Sequence, residues 1–167
     1  MIGLGKKARM DQLFLNLVGF PVLKASFSRN RKSPGWSIEI LCAESPQLDY
    51  HGWPEDRSEN EMDWLAGLEL FLYAQMLPLP ANSPDELLGQ TYSFPQSPDD
   101  EPAVWDLGVG WLFFCLYTWE HDLVYPTTVT FTKRQEDRYR VKIIGSYRVG
   151  EGHYDLQVET WLDWLNE

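Results

Sequence analysis

From Val22 onward, apolar and polar residues alternate in short runs, and this period of two predicts strands with one face turned to a core. Leu23, Ala25 and Phe27 alternate with Lys24, Ser26 and Ser28. Trp36, Ile38 and Ile40 alternate with Ser37, Glu39 and Leu41. The stretch between them, residues 30–35, supplies Asn, Ser, Pro and Gly, so the pair reads as a hairpin. A further strand is expected over 68–77, where Leu68, Leu70, Leu72 and Ala74 share a face, with Pro78 and Pro80 ending it. Residues 111–119 are apolar without alternation, the pattern of a strand covered on both faces, and predict a central strand. The C-terminal third reads as a meander. Val129 and Phe131 alternate with threonines, Tyr139, Val141 and Ile143 with Arg138, Arg140 and Lys142, and Leu156, Val158, Thr160 and Leu162 with Asp155, Gln157, Glu159, Trp161 and Asp163. If the last two strands are neighbours, bases of one face acids of the other.

Helical signals are few. Met10, Leu13, Phe14 and Leu17 fall at i, i+3, i+4 and i+7 and predict a short helix that Gly19 and Pro21 would stop. Asn60 is a candidate cap for one turn ending near Gly67. Ser83-Pro84-Asp85-Glu86 is a helix start, with Gly89 closing it within about two turns. Tyr92–Pro95 reads as a short extended piece. The expected fold is mainly β, an antiparallel sheet that is sandwich-like or curved, with one or two short helices, and α+β is the close alternative. The 167 residues form one expected domain, with a loose N-terminus over about 1–9 and long acidic loops at 44–64 and 79–106.

Charge changes the picture. Residues 44–122 hold sixteen of the 25 carboxylates, five of the eight tryptophans and a single base, Arg57, so the formal charge of −11 comes from this middle stretch. Two cysteines, Cys42 and Cys115, sit in apolar runs and are expected as buried free thiols rather than a disulfide framework. Lys6, Lys7 and Arg9 ahead of an apolar run outline a secretory signal, but Asp11, Asn16, Gly19 and Pro21 interrupt it, and a cytoplasmic protein is expected. No apolar run approaches the roughly 20 residues of a membrane span, and no membrane partner is expected.

Motifs for chemistry are sparse. His51, His121 and His153 are far apart, and no metal-ligand spacing, nucleophile elbow or P-loop occurs, so no metal or cofactor is expected. The lone Gly3-Leu4-Gly5 has no strand before it. The acidic loop 98–102 lacks the layout of a calcium loop. Arg29, Arg31 and Lys32 read as a solvated loop, and the basic run 138–142, with no tandem aromatics beside it, reads as a solvated sheet face rather than a nucleic-acid patch. Glu120, His121 and Asp122 close the apolar run. Two carboxylates there are the minimum for acid–base hydrolysis, which keeps a hydrolase as an alternative. Charges marking a strand's exit into solvent are the simpler account of them, and an enzyme is not indicated.

The expectation that follows is a non-catalytic binding protein. Uncompensated acids repel one another unless a partner relieves them, tryptophan is a typical interface anchor, and acids around it steer a basic partner. The expected contact residues are Trp53, Glu55, Asp56, Glu59, Glu61, Asp63, Asp99, Asp100, Glu101 and Trp105. Small acidic, aromatic-rich binders of this kind occur among bacterial immunity proteins and antitoxins, whose toxin partners are often basic. A ligand- or carbohydrate-binding β domain, with Trp and Tyr stacking on a flat ligand, is the other alternative.

Overall fold

The computed structural model describes residues 10–29, 35–48, 62–94, 114–118, 120–149 and 152–165, with the side chains of Met76 and His121 left aside. Its strands are β1 (Gln12–Leu15), β2 (Val18–Arg29), β3 (Trp36–Cys42), β4 (Leu70–Leu77), β5 (Thr91–Phe94), β6 (Phe114–Tyr117), β7 (His121–Gln135), β8 (Arg138–Val149) and β9 (Gly152–Trp164). Eight of them form a closed antiparallel barrel in the order β1-β2-β3-β4-β6-β7-β8-β9, with β9 pairing back onto β1. The expected β fold is therefore present, closed on itself rather than stacked as a sandwich. Closure removes the free edges that an open sheet leaves unpaired. The remaining strand, β5, pairs with β7 beyond the stretch that β6 covers: Phe114↔Val124 gives way to Phe94↔Thr127.

The alternation read from the sequence sorts side chains between inside and outside. Leu13, Leu15, Phe20, Phe27, Trp36, Ile38, Ile40, Leu70, Leu72, Val129, Phe131, Val141, Ile143, Val158 and Leu162 are buried in one core cluster. Arg138, Arg140, Lys142, Glu159 and Asp163 lie on the opposite faces of β8 and β9. On these two strands apolar residues thus face inward and charged residues outward. Among the described residues no helix is long and apolar enough to cross a membrane.

Phe27 is the hub of the core where β2 meets β9 in a short parallel pairing, Phe27↔Trp164. Its ring lies 4.9 Å from Trp164, 5.2 Å edge-on from Tyr139, 5.9 Å from Phe131 and 6.1 Å from Trp36. Each such pair contributes about 0.5–1.5 kcal/mol beyond buried area.

The expected helix at 10–18 is instead the β1–β2 hairpin. Leu13 and Leu15 point inward, Phe14 is exposed, and Leu17 is 89% exposed at the turn. Asn16 takes a left-handed φ of 52° there, which lets the chain reverse in two residues. Leu23, expected inside, is half-exposed at a bulge between Val22 and Lys24, while Ala25 and Phe27 do point inward. The Ser83 start forms one 3₁₀ turn, Pro84–Leu87, with no side-chain cap from Ser83, and Gly89 (φ 74°) ends it. The central strand, in its described part, buries Phe114, Cys115 and Leu116 in succession, as a strand covered on both faces requires. Cys42 and Cys115 are buried free thiols.

Connections define two ends. At the upper end lie the β1–β2 turn, residues 43–48 and 62–69, the start of β7, the end of β8 and the start of β9. The lower end carries the end of β2, the start of β3, the segment that follows β4 and the β7–β8 turn. Each end is stoppered by apolar residues of its own connection: Leu48, Met62, Leu65 and Ala66 above, and Leu79, Ala81 and Leu87 below.

Candidate functional site

The upper end is built by a 3₁₀ turn, Asp63–Leu65, whose apolar neighbours decide its orientation. Met62, Leu65 and Ala66 are spaced to share one side and plug the barrel. Asp63 and Trp64 are thereby left on the other side, and Trp64 is 38% exposed. Gly67, at φ 76°, turns the chain back toward β4. The Trp64 indole Nε1–H donates to the Tyr154 hydroxyl at 3.4 Å, which fixes the exposed ring against β9. Tyr154 packs on Tyr147, with ring centroids 6.1 Å apart. Asp63 Oδ2 is buried and accepts no hydrogen bond.

Around this ring the described charges are one-sided. Glu44, Asp63, Glu69, Glu120, Asp122 and Asp155 belong to the upper end, against Arg148 and, on the wall in register with His121, Lys24 among the described residues. Arg148 is committed elsewhere: its Nε–H donates to the Tyr125 carbonyl at 2.9 Å and its guanidinium lies 4.5 Å from the Tyr125 ring centre. The described ion pairs all lie elsewhere on the molecule. They join Arg134 to Asp85, Arg138 to Asp163, and Arg140 to both Asp11 and Glu159. None of the six upper-end acids takes part in one.

Of the ten expected contact residues, Asp63 is the one described, and it stands at this end. Trp53, Glu55, Asp56, Glu59, Glu61, Asp99, Asp100, Glu101 and Trp105 lie outside the described residues. The connection that carries the first five is rooted at the upper end, on Cys42 and Leu70. The connection that carries the last four leaves from Phe94 and returns at Phe114. Both of these residues pair with β7, at Thr127 and Val124, so its two roots are neighbours on the wall.

The three residues of the hydrolase alternative separate by role. Glu120 is exposed in the β6–β7 turn, where its carbonyl accepts from the Thr118 N–H at 3.2 Å. Asp122 stands opposite the buried Leu116 and so leans toward the barrel mouth, where its Oδ2 accepts from the Tyr147 hydroxyl at 2.9 Å. The His121 backbone pairs with Tyr117. Among the described residues no three His, Cys, Asp or Glu side chains gather to hold a metal ion.

A second cluster, on the outer wall near the lower end, was not read from the sequence. Trp161 is contacted by three cations: Arg138 Cζ at 5.5 Å, Lys133 Nζ at 5.7 Å and Arg140 Cζ at 5.7 Å from the ring centre. The signal was present, since Trp161 shares the outward parity of Glu159 and Asp163. Its convergence with Arg140 depends on the β8–β9 register, Arg140↔Trp161. The expected pairing of bases with acids between these strands is present as Arg138–Asp163 at 3.4 Å and Arg140–Glu159 at 3.6 Å. Scans against protein-family models, curated proteins and solved structures found no match to this chain.

Proposed function

We propose that this chain is a non-catalytic binding protein that presents the acidic upper end of its barrel, with Trp64 as anchor, to a basic protein partner. The observation that carries the reading is the set of carboxylates in no described ion pair, Glu44, Asp63, Glu69, Glu120, Asp122 and Asp155, at the end that also presents a half-exposed tryptophan. Unpaired acids raise the local negative potential and speed the approach of a positive surface. A large ring held by a hydrogen bond loses little freedom on docking and supplies buried area at the centre of a contact. An immunity protein or antitoxin acting in the bacterial cytoplasm on a basic toxin domain is the biological role of this type that best suits the charge.

The test is capture followed by kinetics. Proteins retained by the wild-type chain at low salt are compared with those retained by Glu44→Lys/Glu120→Lys and by Trp64→Ala. The purified partner is then mixed with the chain in stopped flow. The association rate is expected to fall by about tenfold or more from low to high salt, and Trp64→Ala to raise the dissociation rate with little change in association. A partner bound equally well by the charge-reversed variant would end this reading.

A further inference from the structure

We propose that copies of this chain associate head to tail, the acidic upper end of one docking on the Trp161 stripe of the next. The stripe is the outer face of β7, β8 and β9 near the lower end. Lys133, Arg138, Arg140 and Lys142 stand on these strand faces against Asp11, Glu159 and Asp163, with Glu136 and Asp137 in the adjoining β7–β8 turn, so this part of the wall gathers bases that the acidic end lacks. Two of those bases, Lys133 and Lys142, have no carboxylate within ion-pair distance among the described residues. Lys133 is exposed, and Lys142 stands in register between Thr130 and Glu159.

Trp161 gives the stripe its form. Cation–π attraction draws Lys133, Arg138 and Arg140 toward one ring, so flexible cationic side chains are gathered before any partner arrives. The same crowding argues against base stacking, because the cations compete for the π faces that a nucleobase would use. What the stripe offers is a small group of donors for carboxylates, with an indole beneath them.

The carboxylates it fits are at the other end of the same wall. Asp155 and Trp161 lie on one outer face of β9, six residues apart, or about 20 Å along the strand. Asp155 therefore cannot reach the stripe of its own copy. The upper-end acids without an ion pair and the lower-end lysines without one are left to meet between copies. Because the two surfaces are different, the contact is heterologous, and it propagates as an open chain of copies instead of closing as a two-fold dimer.

Salt gives this association a particular signature. Two copies of charge −11 repel at long range, and at about 10 mM salt, with a screening length of about 30 Å, that repulsion opposes encounter. Near 150 mM the screening length shrinks to about 8 Å, which removes the net repulsion but leaves contacts at ion-pair distance in force. Near 1 M those contacts are screened as well. Self-association is therefore strongest at intermediate salt. It uses the same acidic end as the proposed partner binding but does not depend on it. A chain altered only at the stripe keeps its acidic end, so the two ideas fail separately.

The experiment is sedimentation velocity of the purified chain over a concentration series at the three salt levels. The weight-average mass is expected to rise above 19.5 kDa with concentration, most at the middle level. The stripe variant Lys133→Glu/Lys142→Glu and the end variant Glu120→Lys/Asp155→Lys are each expected to stay at 19.5 kDa alone. Mixed, they are expected to recover a species near twice that mass and no larger, because each keeps the one surface the other lacks. If Lys142→Glu disturbs folding by facing Glu159, shown by a lower urea midpoint, Lys133→Glu/Lys142→Gln replaces it. Wild-type chain that remains monomeric at every salt level would overturn the proposal, and so would self-association that survives in the stripe variant. Mixed variants that fail to combine, or stripe-dependent binding of a single-stranded oligonucleotide without any rise in mass, would overturn it too.

Discussion

The buried phenol of Tyr147, on β8, donates to Asp122 Oδ2 at the start of β7 over 2.9 Å, and so ties the barrel core to a carboxylate of its acidic end. Tyr147 is fully buried. Tyr147→Phe keeps the ring and removes the donor. A hydrogen bond to a charged group contributes about 1.5–3 kcal/mol, and partial exposure of Asp122 reduces this, so a loss of about 1–2 kcal/mol in urea unfolding is expected. Asp122→Asn retains an acceptor oxygen for the phenol and is expected to cost less. Equal losses from the two variants would mean that the bond itself contributes little.

The buried thiols make the fold alkali-sensitive. Burial pushes Cys42 up to about 12 and Cys115 up to about 11 from the ordinary 9.0, and the Tyr73 phenol beside Cys115 is itself pushed up to about 12, chiefly by burial. Below pH 9 both folded and unfolded chains keep the thiol protons. Above it the unfolded chain releases them while the folded chain does not, so the folded state loses stability as pH rises. Each thiol contributes a slope of about 1.4 kcal/mol per pH unit within its window. Urea midpoints measured from pH 8 to pH 10.5 are expected to drop steeply above 9. Cys42→Ala/Cys115→Ala is expected to flatten that drop whatever it does to the midpoint at pH 8. An unchanged slope in the double variant would discard the explanation.

Asp85 fastens the segment that stoppers the lower end. Arg134 Nη1 donates to both its oxygens at 2.8 Å, and the Tyr139 hydroxyl donates to Oδ1 at 2.8 Å. The Tyr139 hydroxyl first, then Arg134, holds the Asp85 carboxyl below its ordinary 3.8. A carboxyl lowered on folding stabilises fully above the unfolded value of 3.8 and loses that contribution as pH falls through its folded value. The expected consequence is local. In Asp85→Ala the amides of Leu88 and Gly89, bonded to the Asp85 and Phe131 carbonyls, exchange hydrogen several-fold faster while β8 and β9 are unaffected. Wild-type chain below pH 3 is expected to approach the variant's local rates. Identical exchange at Leu88 in the two proteins at neutral pH would rule the fastening out.

Alternation told much of this fold in advance, because its period is a local property. Tyr139-Val141-Ile143 and Leu156-Val158-Thr160-Leu162 required only that one face be buried. The barrel was hidden because closure depends on Leu13 meeting Val158, a pairing that no local pattern records. The hairpin at 12–21 was misread because Met10, Leu13, Phe14 and Leu17 happen to fit a helical stripe, while Leu13 and Leu15 also fit a strand, and the tight turn at Asn16 decides between them. At the candidate site the acids and Trp64 were visible as composition. Their one-sidedness was not, since it follows from Met62 and Leu65 turning into the barrel. Tyr147 with Asp122, and Trp161 with Lys133, are products of register and lie beyond any reading of spacing.

Gly145 tests the register that makes the barrel close. On β8 the residues Gly145 and Tyr147 oppose Thr127 and Val124 of β7, so β7 carries one extra residue at Tyr125-Pro126, and its backbone crowds β8 there. A Cβ at Gly145 would lie 2.6 Å from Val124 Cγ1, 3.2 Å from Thr127 Oγ1 and 3.3 Å from the Pro126 carbonyl oxygen. Thr127 is not free to move, because its hydroxyl donates to the Val124 carbonyl at 2.7 Å. Overpacking of this kind costs about 1–3 kcal/mol. At Gly152, by contrast, an added Cβ meets its nearest neighbour, the Val149 carbonyl oxygen, at an ordinary 3.6 Å. Gly145→Ala is thus expected to lower the urea unfolding free energy by about 1–3 kcal/mol, while Gly152→Ala stays within about 0.5 kcal/mol of wild type. A Gly145→Ala chain as stable as the Gly152→Ala control would show that β7 has room at its bulge, and the close approach of the two strands would need another account.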